Sequence, residues 1–186
     1  MKTKTIPYGG IEVICGCMFS GKSTELIRRI DVCRAAGQKV QVFNSVLDKR
    51  YAKKGICTHD KRKLKATHAE KAEDILPLVD KNTVVVAIDE INFFTNDIVA
   101  VAETLAKQGK RVICCGLDMD YRAMPFESTA RLLAIADSVL KLAARCTQCG
   151  KPARRTNRLA EVKSRIYVGG AQDYDARCAD CFNMEN

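Results

Sequence analysis

The segment Gly16-Cys17-Met18-Phe19-Ser20-Gly21-Lys22-Ser23 satisfies GxxxxGK[ST] at every fixed position, and its flanks are those the motif needs. Ile11 to Cys15 (IEVIC) is a short apolar run that reads as a buried strand. From Lys22 onward Leu26, Ile27, Ile30 and Cys33 recur at three- and four-residue spacing, so a helix follows, with Gly37 as its stop. A glycine-rich turn between strand and helix can wrap backbone N–H groups around a phosphate, and the helix N-terminus adds a favourable dipole. Lys22 then supplies a cation to the phosphates, and the Ser23 hydroxyl supplies a ligand for Mg²⁺. The pattern points to a nucleotide.

The rest of the chain supports a parallel sheet around that loop. Strands are expected at Lys39 to Phe43, Thr83 to Ile88, Arg111 to Gly116 and Ser138 to Leu142. Helices are expected at Ala69 to Val79, Asp97 to Gln108 and Ser128 to Ala136, while Asn44 to Thr67 reads mainly as a loop. TVVVAI at Thr83 to Ile88 is nearly continuous in β-branched residues, the mark of a strand buried on both faces. Strand and helix alternating in this way give an α/β fold of the P-loop NTPase type, with helices flanking a parallel sheet. A change of composition near Leu142 divides a nucleotide-binding body, 1–142, from a small cysteine-bearing domain, 143–186.

Two further groups of residues carry chemistry. Asp89 and Glu90 follow directly on the third strand, at the strand end where ligands of open parallel sheets sit. One carboxylate there can hold Mg²⁺, and the other can accept a proton from an attacking hydroxyl. Near the C-terminus, Cys146-Thr-Gln-Cys149 and Cys178-Ala-Asp-Cys181 form two CxxC pairs. Four thiolates suit a closed, structural, tetrahedral zinc site; an iron–sulfur cluster and redox-active dithiols are the alternatives.

Composition narrows the surroundings. No apolar run approaches the length needed to span a bilayer, and MKTKTIPYGG lacks the apolar stretch of a signal peptide. The remaining six cysteines sit mostly inside apolar segments, as free thiols in a reducing compartment do, so a cytoplasmic protein without a membrane role is expected. The formal net charge of +9 fits either a nucleic acid or a polyanionic small molecule, and much of it crowds into Lys49 to Lys65. A nucleic-acid-binding ATPase would explain the charge. It leaves unexplained the aromatic residues beside the acidic pair, and a simple zinc-ribbon module leaves the glycine-rich loop unexplained.

Taken together and in order, these segments resemble type II thymidine kinases, from about Ile11 to Phe182. The resemblance is carried by GCMFSGKSTELIRR, LDKRY at Leu47 to Tyr51, THD at Thr58 to Asp60 and DEINFF at Asp89 to Phe94. It continues through GLDMDYRAMPF at Gly116 to Phe126, CTQC, VGGAQDY at Val168 to Tyr174 and RCADC. It implies transfer of the ATP γ-phosphoryl to the 5′-hydroxyl of thymidine or deoxyuridine, with Glu90 as the base. Contacts to ATP would fall at Gly16, Met18, Phe19, Ser20, Gly21, Lys22, Ser23, Thr24, Arg50, Asp89 and Asn92, and contacts to Mg²⁺ at Ser23, Asp48 and Asp89. Phe93, Leu117, Tyr121, Phe126, Tyr167, Val168, Gly169 and Tyr174 would form the pyrimidine pocket. The resemblance also implies zinc at Cys146, Cys149, Cys178 and Cys181, a nucleoside lid anchored by it, and a homotetramer that binds no nucleic acid. Two differences from the family pattern, Asn92 in place of Gln and Tyr121 in place of Phe, bear on the choice between thymidine and deoxyuridine. The chain ends five residues after Cys181, which leaves no room for the long tail of animal members.

Overall fold

The structure, a computed structural model, describes residues 9–46, 56–57 and 63–183. Strands β1 (Ile11–Gly16) and β2 (Val40–Ser45) flank helix α1 (Lys22–Ala35). Two-residue strands β3 (Ile56–Cys57) and β4 (Lys63–Leu64) pair antiparallel, and β5 (Thr67–Ala69) follows. After a short helical stretch including α2 (Ile75–Leu78) come β6 (Val85–Asp89), α3 (Asp97–Lys107), β7 (Arg111–Gly116), α4 (Glu127–Ile135) and β8 (Ser138–Leu142). Six of these strands form one parallel sheet in the order β5-β2-β6-β7-β1-β8.

Both faces of the sheet are covered, and strand residues alternate between the two cores as the pleat requires. Val13, Val86, Ile88, Val112 and Cys114 pack with Ile98, Val101 and Leu105 of α3 and Leu132 of α4. Ile14, Val85, Ala87, Ile113 and Cys115 pack with Leu26, Ile27, Ile30 and Cys33 of α1. The buried cysteines of the body are therefore core residues, with no disulfide among the described cysteines.

The segment expected to be helical from Ala69 to Val79 is shorter than that. Thr67 to Ala69 instead pairs with Phe43 to Ser45 as the sheet's sixth strand, and α2 has four residues. Pro77 sits in α2 where its missing N–H costs nothing, and Val79 leaves the helix in an extended conformation. Beyond β8, four short strands make two antiparallel hairpins. β9 (Ala144–Arg145) pairs with β10 (Pro152–Ala153), and β11 (Arg155–Arg158) pairs with β12 (Tyr174–Arg177). Among the described residues no helix is long and apolar enough to cross a membrane.

Candidate active site

The carboxyl ends of β1, β6 and β7 gather the expected residues at one edge of the sheet. The loop after β1 needs glycine twice. Gly16 has φ 143, and a Cβ on it would fall 2.4 Å from the Leu142 carbonyl oxygen. Gly21 caps α1 with φ 85, and its carbonyl accepts the Glu25 N–H at 3.0 Å, the first bond of the helix. Lys22 Nζ donates to the Cys17 carbonyl at 2.8 Å, and the Ser20 hydroxyl donates to the same oxygen at 2.9 Å. The loop is thus held closed from inside by its own side chains.

At the end of β6, Asp89 is buried, and its Oδ1 accepts the Glu90 N–H at 2.9 Å. Its Oδ2 lies 3.4 Å from the Ser23 hydroxyl, which donates to it. Burial first, and the Glu90 carboxylate second, push Asp89 up to about 7, although the Cys115 thiol donates to it and Lys22 lies near. These oxygens are the hard donors that a magnesium ion takes, and a cation there would draw Asp89 back to the ionised form. Glu90 adopts φ 53 and ψ 42, a left-handed conformation that a non-glycine residue holds only when its surroundings impose it. Asp48 and Arg50 lie outside the described residues.

A cavity of about 390 Å³ opens beside these groups. The loop contributes Met18, Phe19, Gly21, Lys22, Ser23 and Thr24 to its wall, and Glu90 contributes from the end of β6. The other walls carry Phe93, Leu117, Tyr121, Phe126, Tyr167, Val168, Gly169 and Tyr174. All eight residues expected around a flat pyrimidine therefore line one cavity, of a size ordinary for a small ligand. Gly16, Ser20, Asp89 and Asn92 are not among the residues that line it. Asn92 is buried, and its Oδ1 accepts the Leu117 N–H at 2.8 Å, so it ties the turn after β6 to the one after β7.

A family described as "Thymidine kinase" matches residues 9–182. The chain is also 45% identical, over 174 residues, to the thymidine kinase of Rhodothermus sp. (strain ITI 518), covering 94% of this chain and 81% of that protein. The chain belongs to the thymidine kinase family.

As the family sequence pattern leads one to expect, the four cysteines after β8 converge. The Sγ atoms of Cys146, Cys149, Cys178 and Cys181 all lie within 4.8 Å of one another, with Cys149 and Cys178 3.5 Å apart. Tetrahedral thiolates about 2.3 Å from a zinc ion stand roughly 3.8 Å from each other, so the donor set and its spacing fit such an ion. Burial opposes ionisation of Cys146, but backbone N–H groups of Cys178, Cys149 and Gln148 outweigh it and hold this thiol below its usual range.

The sequence assigned no individual role to Met119, Asp120, Thr156, Arg158 or Arg165, all of which stand in the cavity wall. Thr156 Oγ1 accepts the Met18 N–H at 3.0 Å, across 138 positions of sequence. Cys17 donates its thiol to the Ala153 carbonyl and packs in one small core with Cys146, Ala176 and Cys178. The cysteine-bearing region therefore touches the glycine-rich loop directly, which no local pattern announces.

Proposed function

We propose that the protein is an ATP:thymidine 5′-phosphotransferase that also accepts deoxyuridine. The observation that carries this reading is the single cavity shared by Lys22, Ser23, Glu90 and a ring-lined wall of Phe93, Tyr121, Phe126, Tyr167 and Tyr174. ATP phosphates lie along the loop from Gly16 to Thr24, and Lys22 leaves the Cys17 carbonyl to meet them. The pyrimidine lies among the rings, with backbone groups of Tyr167, Val168 and Gly169 along its edge. Glu90 takes the proton of the 5′-hydroxyl as that oxygen bonds to the γ-phosphorus, and the bond from the γ-phosphorus to the bridging oxygen breaks to release ADP. Magnesium bound with ATP supplies charge compensation on the phosphates, and Ser23, Asp89 and Asp48 are the residues that would hold it.

In the same reading the chain comprises a nucleotide-binding body, 1–142, and a nucleoside lid, 143–186, whose four cysteines hold structural zinc. Two separate hairpins beginning at Ala144 support that division. The free, largely buried thiols support a reducing, cytoplasmic setting, and a homotetramer completes the expectation drawn from the resemblance. The deciding experiment follows ADP release from Mg·ATP with no acceptor, thymidine, deoxyuridine or single-stranded DNA. Release that depends on thymidine is the expected result. Release driven by DNA and indifferent to nucleosides would replace this reading with a nucleic-acid-stimulated ATPase.

A further inference from the structure

Arg158 closes strand β11, and its environment is unusual for an arginine. It is 8% exposed, yet none of its hydrogen-bond acceptors among the described residues is a carboxylate. Nη1 donates to the carbonyls of Val162 and Ser164 at 2.9 and 2.5 Å. Nη2 donates to the Arg165 carbonyl at 3.1 Å and to the Tyr174 hydroxyl at 2.9 Å, and that hydroxyl donates onward to the Tyr167 carbonyl at 2.7 Å. The guanidinium also lies over the Tyr121 ring, 3.7 Å from its centroid.

Burying a charge without an acid lowers stability, and an apolar side chain of similar size would pack here without that cost. What only a guanidinium provides is a rigid planar fork that gathers several carbonyls while its face rests on a ring. The carbonyls it gathers belong to one irregular segment, and Ile166 to Gly169, directly after that segment, line the cavity. The ring, which also lines the cavity, comes from the loop after β7.

We propose that Arg158 is a positioning residue for the nucleoside. It sets the backbone path of 162–167 and the seat of Tyr121, so that both meet a flat pyrimidine ring already shaped to it. This rests on the thymidine kinase reading, and Arg158 acts through the loop and the ring, not on the reacting atoms. The loop has a second tether, because Arg165 donates to buried Asp120 at 2.8 Å and to the Pro125 carbonyl at 2.9 Å. Replacing Arg158 therefore alters the shape of the loop while leaving it attached.

The test is steady-state kinetics of R158M and R158K beside the parent enzyme, with thermal melts and metal content as controls for folding. In R158M the KM for thymidine is expected to rise about tenfold while the KM for ATP stays within about twofold, and R158K should fall between R158M and the parent. A folded R158M whose thymidine KM is unchanged, or whose two KM values rise together, overturns the proposal. Should R158M fail to fold, R158K decides by the same split. A parent enzyme without thymidine-dependent ADP release would instead sink the functional reading itself.

Discussion

Thr156→Val tests whether the cysteine-bearing region holds the phosphate loop in shape. Valine keeps the shape of threonine and removes the oxygen that accepts the Met18 N–H at 3.0 Å. Thr156 is 4% exposed, so little water can reach the site to replace it. An unsatisfied buried donor costs about 1 to 3 kcal/mol, and because Met18 is only half-buried the lower half of that range applies. In a chain of this length each kcal/mol moves the melting temperature by about 2 to 4 °C, so a fall of about 2 to 8 °C is expected. If the loop relaxes and ATP must restore it on binding, a loss of about 1.4 kcal/mol would appear as a tenfold rise in the KM for ATP. The four cysteines are untouched, so metal content should not change. Melting curves and ATP titrations of T156V read both effects. Identical melting and an unchanged KM for ATP would refute the reasoning and show that the loop keeps its shape without this bond.

Three other outcomes are expected. Glu90→Gln should lower thymidine-dependent turnover by about 10² to 10⁴-fold while ATP still raises the melting temperature, and a variant with near-normal turnover would remove Glu90 from the base role. Asp89 should make the protein without nucleotide or magnesium less stable as pH rises. Its folded pKa is raised, so between 3.8 and about 7 the native state binds more protons than the unfolded one, and stability falls through that window. Asp89→Asn should be more stable than the parent at pH 8 and should lose that part of the decline; superimposable profiles of melting temperature against pH would contradict it. Cys149→Ser should lose its metal and with it affinity for thymidine, so a metal-free variant with full activity would separate the cysteine cluster from the site.

The body of the fold was legible because its strands announce themselves. A β-branched run such as VVVAI suits a strand with apolar neighbours on both faces, and β6 has that setting between the two cores from Val85 onward. Strand β5 escaped notice because Thr67, His68 and Ala69 form an edge that needs one neighbour only and carries no apolar run. The segment after it is helical only from Ala72, first as a 3-10 turn to Asp74 and then as α2, and the chain leaves the helix at Val79. In the site, the acidic pair and the cysteines were readable since the two acids are adjacent and the cysteines fall in two CxxC pairs. Arg158 and Arg165 were not, because an arginine in a polar stretch reads as solvated surface. Their partners, Tyr121 and Asp120, come from a loop well back along the chain.

One strand brings these observations together. Alternate residues of β11 face opposite ways, so Thr156 and Arg158 share a face and Asn157 points to the other. The shared face meets both parts of the cavity: Thr156 holds the loop at Met18, and Arg158 holds the segment 162–167 and Tyr121. On the rear face, the Asn157 amide donates to Asp175 Oδ1 at 2.9 Å. The other oxygen of Asp175 accepts from Thr147 at 2.7 Å and from Arg177 at 2.8 Å, and those residues adjoin Cys146 and Cys178. Asp175 is consequently held below its ordinary range, against burial, by Arg177, Thr147 and Asn157, so this network stays charged and closed at neutral pH. The cysteine cluster is thus two hydrogen bonds from the strand that shapes both sub-sites. Its distortion should weaken ATP and thymidine together, whereas Thr156→Val acts on the first and Arg158→Met on the second. Loss of both affinities on removing the metal, beside selective losses in the two variants, is what a shared β11 scaffold requires.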